Sequence, residues 1–155
     1  VNSTVNVVAG LAVLALLVVR QIRKRPLRED PRPVVLVVLL VLGILQLGTY
    51  LKVVPASAAV IALLVATLLL GAGFGAVRAW SVRIWREDGQ LWRQGSRLTA
   101  VLWLVGFGVH IGLDALFDGV AHGLGVGSIL LYLAVSLGVQ RLFVQSRASR
   151  LGSFA

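Results

Sequence analysis

The chain contains no cysteine and no methionine, and only six acidic residues among its 155. Without cysteine, disulfides, thiol redox chemistry, thiolate-held metals and iron–sulfur clusters are excluded. Charge of either sign is scarce, at 14% of residues, where a soluble domain carries about 25%. Hydrophobic residues make up 58%, above the usual share of about 45–50%. Enzyme signatures are lacking too. There is no Gly-x-Ser-x-Gly elbow, phosphate-binding loop, dinucleotide fingerprint or His-Glu-x-x-His pair. What is present implies a bilayer as solvent and one domain, residues 1–155.

Five apolar runs, at 5–19, 34–51, 58–77, 98–117 and 125–144, predict an all-α integral membrane protein with five transmembrane helices. The first run is short, since a span takes roughly 20 residues. It is expected to thin the bilayer locally or to lie partly in the interface. Its charges, Arg20 to Arg32, follow the apolar run. A signal peptide has the opposite order, so the run reads as a span. Pro31 and Pro33 keep that helix from continuing. Lys52, Pro55 and Ser57 mark a tight turn.

The basic residues set the direction of the spans. Six lie in 20–33, five in 78–97 and three after 140, while 52–57 holds only Lys52 and 118–124 none. Alternating sides therefore puts fourteen positive charges on one face and one on the other. The positive-inside rule makes the rich face cytoplasmic, with the N-terminus outside and the C-terminus inside. The net charge of +9 lies in short segments between apolar runs, which suits anionic lipid headgroups. No nucleic-acid module is present, so nucleic acid is not an expected partner. Arg outnumbers Lys thirteen to two in a chain rich in Gly, Ala, Val and Leu. That bias suggests a high-GC bacterial genome and hence the bacterial cytoplasmic (plasma) membrane.

Small residues at Ala58, Ala62, Ala66, Gly71 and Gly75 would let the third span approach another helix closely, including that of a second copy in a homodimer. Between the third and fourth spans, residues 80–97 predict a short cytoplasmic β-hairpin. Asp88-Gly89 suits a two-residue turn with positive φ at both positions. That turn pairs Glu87 with Gln90, Arg86 with Leu91 and Trp85 with Trp92. One cross-strand Trp pair contributes about 0.2–1 kcal/mol, so the hairpin needs the membrane surface or the inner helix ends for support. Arg78, Trp80, Trp85, Arg86, Trp92 and Arg93 form the expected headgroup or partner contact, with Arg78 reaching out to phosphate.

The stretch from Arg78 to Trp103 (RAWSVRIWREDGQLWRQGSRLTAVLW) resembles the CcdC-like family of small bacterial integral membrane proteins, a domain of unknown function. The likeness lies in the Gly-rich span ending at Arg78, the Trp–Asp-Gly–Trp-Arg-Gln-Gly-Ser hairpin and the Leu-Thr-x-x-Leu-Trp opening of the next span. The family name alludes to cytochrome c biogenesis. This chain has neither a Cys-x-x-Cys pair nor a haem-attachment motif, so it cannot itself perform thiol chemistry.

The most specific polar pattern is His110, Asp114, Asp118 and His122, spaced four apart. On a continuous helix these would share one slowly rotating face. As a metal site all four would ligate, since imidazole and carboxylate suit zinc or manganese. Haem ligation or proton relay are other uses of the same groups, and no cofactor is strongly implied. The bland expectation is that His110 and Asp114 satisfy each other, with Gly119 and Gly123 breaking the helix near 118. Gln46, Tyr50 and Tyr132 would join His110 and Asp114 in an outward-facing pocket for a small ligand or a proton. The leading functional expectation is a non-enzymatic accessory or scaffold protein that docks a membrane partner through the hairpin. The alternative is a ligand, metal or ion site at His110 and Asp114. An intramembrane enzyme using that pair is the third class.

Overall fold

The structure, a computed structural model, describes residues 2–27 and 33–152. The expectation for Pro31 lies outside the described residues. Among the described residues five helices run in sequence: α1 (Asn2–Ile22), α2 (Val34–Val53), α3 (Ala58–Ser81), α4 (Arg97–Phe117) and α5 (Leu124–Gly152). Among the described residues three strands accompany them: β1 (Arg25–Pro26), β2 (Arg83–Glu87) and β3 (Gln90–Gln94).

Helices α2 to α5 are long and apolar enough to cross a membrane. In α1 the apolar part is shorter, Leu11–Ile22, although the helix has 21 residues. At 1.5 Å per residue it is about 31 Å long, so the element exceeds the fifteen residues read from its apolar run. Large aliphatic side chains cover the outside of the bundle, Leu69, Leu104 and Ile111 among them. A lipid-facing surface has this character.

Local chemistry fixes the helix ends. Ser57 caps α3, its hydroxyl accepting from the Val60 N–H at 3.2 Å. Ser96 and Thr99 form a reciprocal capping box at the start of α4. The N–H of Val54 turns back to the Tyr50 carbonyl at 3.0 Å and closes α2 just before Pro55.

α5 is the central helix, packed against α2, α3 and α4. Glycines on its neighbours permit this. A Cβ on Gly43 of α2 would stand 2.6 Å from the Leu131 backbone nitrogen, and one on Gly75 of α3 would strike the Ser136 carbonyl. The small-residue stripe of α3 is therefore split. Gly71 and Gly75 are buried against α5, whereas Ala58, Ala62 and Ala66 are exposed. The two glycines are used within the chain and are not part of a surface open to a second copy.

Consecutive helices alternate in direction. One end gathers Gln21, Arg78 to Val82, Gly95, Thr99 and Gln140 to Arg147. The other packs Val60, Ala121 and Leu124 with Leu47, Tyr50 and Leu51. All the described basic residues except Lys52 belong to the first end, called the arginine-rich end below.

The hairpin has the expected register: Glu87 faces Gln90, Arg86 faces Leu91 and Trp85 faces Trp92. Its turn has φ 52° at Asp88 and 76° at Gly89, the positive values that Asp-Gly accommodates. The sheet is larger than the hairpin, however. β1 adds to the far side of β3 in the order β1-β3-β2, with Arg25 opposite Arg93 and Pro26 opposite Trp92. Proline has no N–H to give the ladder, which suits a two-residue edge strand. The N–H of Gly95 donates to the Gln21 carbonyl at 2.9 Å and ties the hairpin to the end of α1.

Lys24 closes the sheet's aromatic face. Its Nζ lies 4.6 Å from the Trp92 ring centre and 5.4 Å from that of Trp85, and 2.8 Å from a Glu87 carboxylate oxygen. The Trp85 indole donates to the same oxygen at 3.1 Å. These hydrogen bonds, that from Lys24 first, hold the Glu87 carboxyl below its ordinary value. A depressed carboxylate stabilises the fold above its unfolded pKa, and the contribution is lost as pH falls through the folded one. The intrinsic Trp fluorescence should therefore shift in an acid titration below the ordinary glutamate range, and Glu87→Gln should remove that transition. A transition that survives Glu87→Gln unchanged would assign it to another group.

Candidate functional site

The arginine-rich end holds a buried polar network. Arg78, in the last turn of α3, is 1% exposed. Its Nε donates to the Gln140 side-chain oxygen at 3.3 Å, and its terminal nitrogen donates to the Ser136 hydroxyl. The guanidinium lies 3.8 Å from the centre of the buried Trp103 ring. Gln140 in turn donates to the Gln21 side chain at 2.8 Å. The network thus joins α1, α3, α4 and α5. The expected reach of Arg78 toward lipid phosphate is overturned. Ser136 and Gln140 stand one turn apart on α5 and give the guanidinium a polar partner inside the bundle, and the indole face takes its charge.

Beside this network lies a cavity of about 130 Å³. Arg20, Gln21, Arg25, Arg93, Gln140 and Arg141 provide its polar wall, drawn from α1, β1, β3 and α5. Among the described residues that line it, none is acidic. The Arg25 Nε is buried and, among the described residues, has no hydrogen-bond partner. Four guanidiniums and two side-chain amides around one small cavity form an environment for an anion such as phosphate or carboxylate.

The other expected contact residues scatter. Trp80 is 72% exposed on α3. Trp85 and Trp92 are half-buried beneath Lys24, Arg86 is exposed, and Arg93 is buried at the cavity wall. Arg147 serves α3 directly, donating to the carbonyls of Ala79 and Val82, which the helix end leaves unpaired.

At the opposite end the His/Asp ladder comes apart. α4 stops at Phe117, so Asp118 and His122 lie in the turn. These two pair with each other at 2.8 Å on the surface. The hydrogen bond from His122 holds the Asp118 carboxyl below its ordinary value. Nor do His110 and Asp114 satisfy one another. Both grip Gly125 at the start of α5: Asp114 accepts its N–H at 2.6 Å, and His110 Nε2 meets its carbonyl at 3.0 Å. The carboxylate thereby caps a helix other than its own, where the positive end of the helix dipole favours it. Among the described residues no group of three or more His, Cys, Asp or Glu is placed to hold a metal ion. The four-residue metal set fails because the chain turns after Phe117.

The remaining pocket residues surround α5 and do not converge on one cavity. Gln46 accepts the Leu130 N–H at 3.4 Å, and Tyr50 packs on Gly127. Only Tyr132 joins His110, with ring centres 4.5 Å apart and its hydroxyl donating to the Gly106 carbonyl at 3.1 Å.

Compared with known proteins, the chain matches no family model, no curated protein and no solved structure.

Gln21, Arg25, Ser136, Gln140 and Arg141 were not among the expected site residues. A signal for two of them was present: Ser136 and Gln140 are polar residues one turn apart within or near an apolar run, where a buried partner is the default reading.

Proposed function

We propose that this is a non-enzymatic accessory protein of the bacterial plasma membrane whose cytoplasmic, arginine-rich end engages an anionic group. In this reading all five helices cross the bilayer, with the N-terminus outside. The fourteen-to-one division of basic residues supports that orientation. The observation that carries the functional reading is the cavity walled by Arg20, Arg25, Arg93 and Arg141, with a buried Nε on Arg25 that has no partner among the described residues. The expected docking surface thereby moves. The hairpin's tryptophans are half-covered, and the sheet contributes instead by carrying Arg25 and Arg93 to the cavity. Trp80 is the interfacial anchor beside it. The shared chemistry is a phosphate or carboxylate, borne by a lipid headgroup, a soluble ligand or a partner's side chain.

The test measures the thermal unfolding midpoint in phosphatidylcholine nanodiscs with added phosphatidylglycerol, and separately with inorganic phosphate. A rise with phosphatidylglycerol alone is the expected lipid signature, whereas a rise with inorganic phosphate points to a soluble ligand. Arg20→Gln with Arg25→Gln should weaken binding by about 2 kcal/mol at roughly 1 kcal/mol per arginine, or about thirty-fold. If neither anion raises the midpoint, or if the double variant responds like the wild type, the reading fails.

A further inference from the structure

A second site lies at the opposite end of the bundle and does not depend on the arginine cavity. A cavity of about 200 Å³ lies between α3 and α4, bounded also by Ala121 and Gly125. Leu63, Leu70, Leu113 and Phe117 make most of its wall apolar. Asp114 is the only Asp, Glu, Lys or Arg on that wall among the described residues. One oxygen of its carboxylate accepts the Gly125 N–H at 2.6 Å. The other has no hydrogen-bond or ion-pair partner among the described residues. Thr67, buried on α3, lines the same cavity, and its hydroxyl is likewise unpartnered among the described residues. His110 offers the cavity no nitrogen: Nε2 is held by the Gly125 carbonyl, and Nδ1 is enclosed.

The cavity continues into an apolar groove of about 540 Å³ along α3. Ala66 and Leu70 border both, and the groove runs on past Gly73 and Phe74 to Val77. From Ala66 to Val77 is roughly 16 Å of helix. Gly73 leaves the groove open, since even a Cβ there would meet nothing within 4 Å. The site therefore pairs a carboxylate oxygen and a hydroxyl at one end with an aliphatic track at the other. Water would satisfy the carboxylate but finds no partners on the aliphatic wall. A bare metal ion lacks oxygen ligands, because no group of three or more His, Cys, Asp or Glu stands together among the described residues. An anion would meet the carboxylate with no Lys or Arg on the wall to offset it. A cationic head with N–H donors on an apolar tail matches both halves, because ammonium and carboxylate form a charge-assisted hydrogen bond.

We infer that this cavity and groove bind a membrane-dissolved amphiphilic amine, whose ammonium donates to the free Asp114 oxygen and to the Thr67 hydroxyl while its tail lies along α3 beside Gly73. Asp114 is within one turn of the end of α4, so the charge stays near the membrane surface and the tail at hydrocarbon depth.

The test uses the full chain in nanodiscs with isotope-labelled histidine. Only two histidines are present. His110 lines the cavity and reports on its occupant, while His122, exposed in the turn beside the Asp118 carboxylate, is the control for a surface ion pair. The probes are dodecylamine and dodecanol, which has the same chain but no charge. The amine should move the His110 resonance saturably, at about ten-fold lower mole fraction than the alcohol needs, the factor one charge-assisted hydrogen bond supplies. Asp114→Asn still offers the Gly125 N–H an acceptor, so the start of α5 holds, and it should bring the amine to the level of the alcohol. Gly73→Leu should raise the mole fraction of amine required about ten-fold, the factor for about two buried methylenes, with helical content unchanged. Equal responses to amine and alcohol would overturn the proposal. So would movement of His122 in parallel, or an amine response that survives Asp114→Asn or Gly73→Leu undiminished.

Discussion

Gly75→Leu is expected to destabilise the bundle by about 3 kcal/mol or more, because overpacking a close contact costs 1–3 kcal/mol even where side chains can yield. Here they cannot yield. The atom that a Cβ at position 75 would meet is the carbonyl oxygen of Ser136, part of the α5 backbone. Relief requires moving α3 away from α5. That movement would also part Arg78 from Ser136 and Gln140, and Gly71 from the Tyr132 ring. Gly73→Leu is the matched control, since a Cβ there meets nothing within 4 Å. On helix propensity alone both changes should help slightly, as Gly is about 1 kcal/mol worse than Leu in a helix. Unfolding in mixed detergent micelles should therefore separate the two variants sharply. Equal midpoints would mean that α3 and α5 do not meet at Gly75.

How much of this was legible in the sequence depends on whether a feature was local. The apolar runs announced the helices, because length and hydropathy alone decide whether a helix suits a bilayer. The hairpin register was legible for a different reason. Asp88-Gly89 admits positive φ at two adjacent positions, and that single turn fixes every pair behind it. β1 was not legible. Two residues, one of them Pro26, carry no alternation, and the pairing with β3 is long-range.

The polar residues were harder to read, because their partners lie far away in the chain. A basic residue near the end of an apolar run usually reaches for phosphate. Arg78 turns inward because Ser136 and Gln140, about sixty residues later, meet it beneath Trp103. Spacing of four made the His/Asp ladder look like one face. Asp118 lies past the end of α4, however, and Gly125 draws His110 and Asp114 to its own peptide groups. The small-residue stripe failed similarly. The spacing from Ala66 to Gly71 is five, so the alanines and the glycines lie on different faces. What joins these misses is α5. It is the least apolar of the four long spans and the most buried, and its polar side chains choose the partners of the rest.

Arg78 carries the second large effect. Its charge is buried without a carboxylate partner in its network, held by a hydroxyl, an amide and an indole face. A desolvated cation–π contact is worth about 2 kcal/mol, and hydrogen bonds from a charged donor about 1.5–3 kcal/mol each. Against this stands the desolvation of a guanidinium, several kcal/mol. The two nearly cancel, so the variants should diverge according to what they leave behind. Arg78→Ala opens a void beneath Trp103 and strands the buried Gln140 side-chain oxygen, and should cost about 3–5 kcal/mol. Arg78→Met fills the space and removes the charge with its desolvation but strands the same Gln140 oxygen, and should cost about 1–3 kcal/mol. Arg78→Lys keeps the charge but loses the planar fork and the ring stacking, and should fall between them. Stability alone would then permit methionine at this position. What methionine cannot do is hold Gln140, which lines the arginine cavity on its other side. Arg78→Met should therefore remain folded yet respond less to phosphatidylglycerol than the wild type. If it keeps the full response, Arg78 is a packing element only, and the cavity works without it.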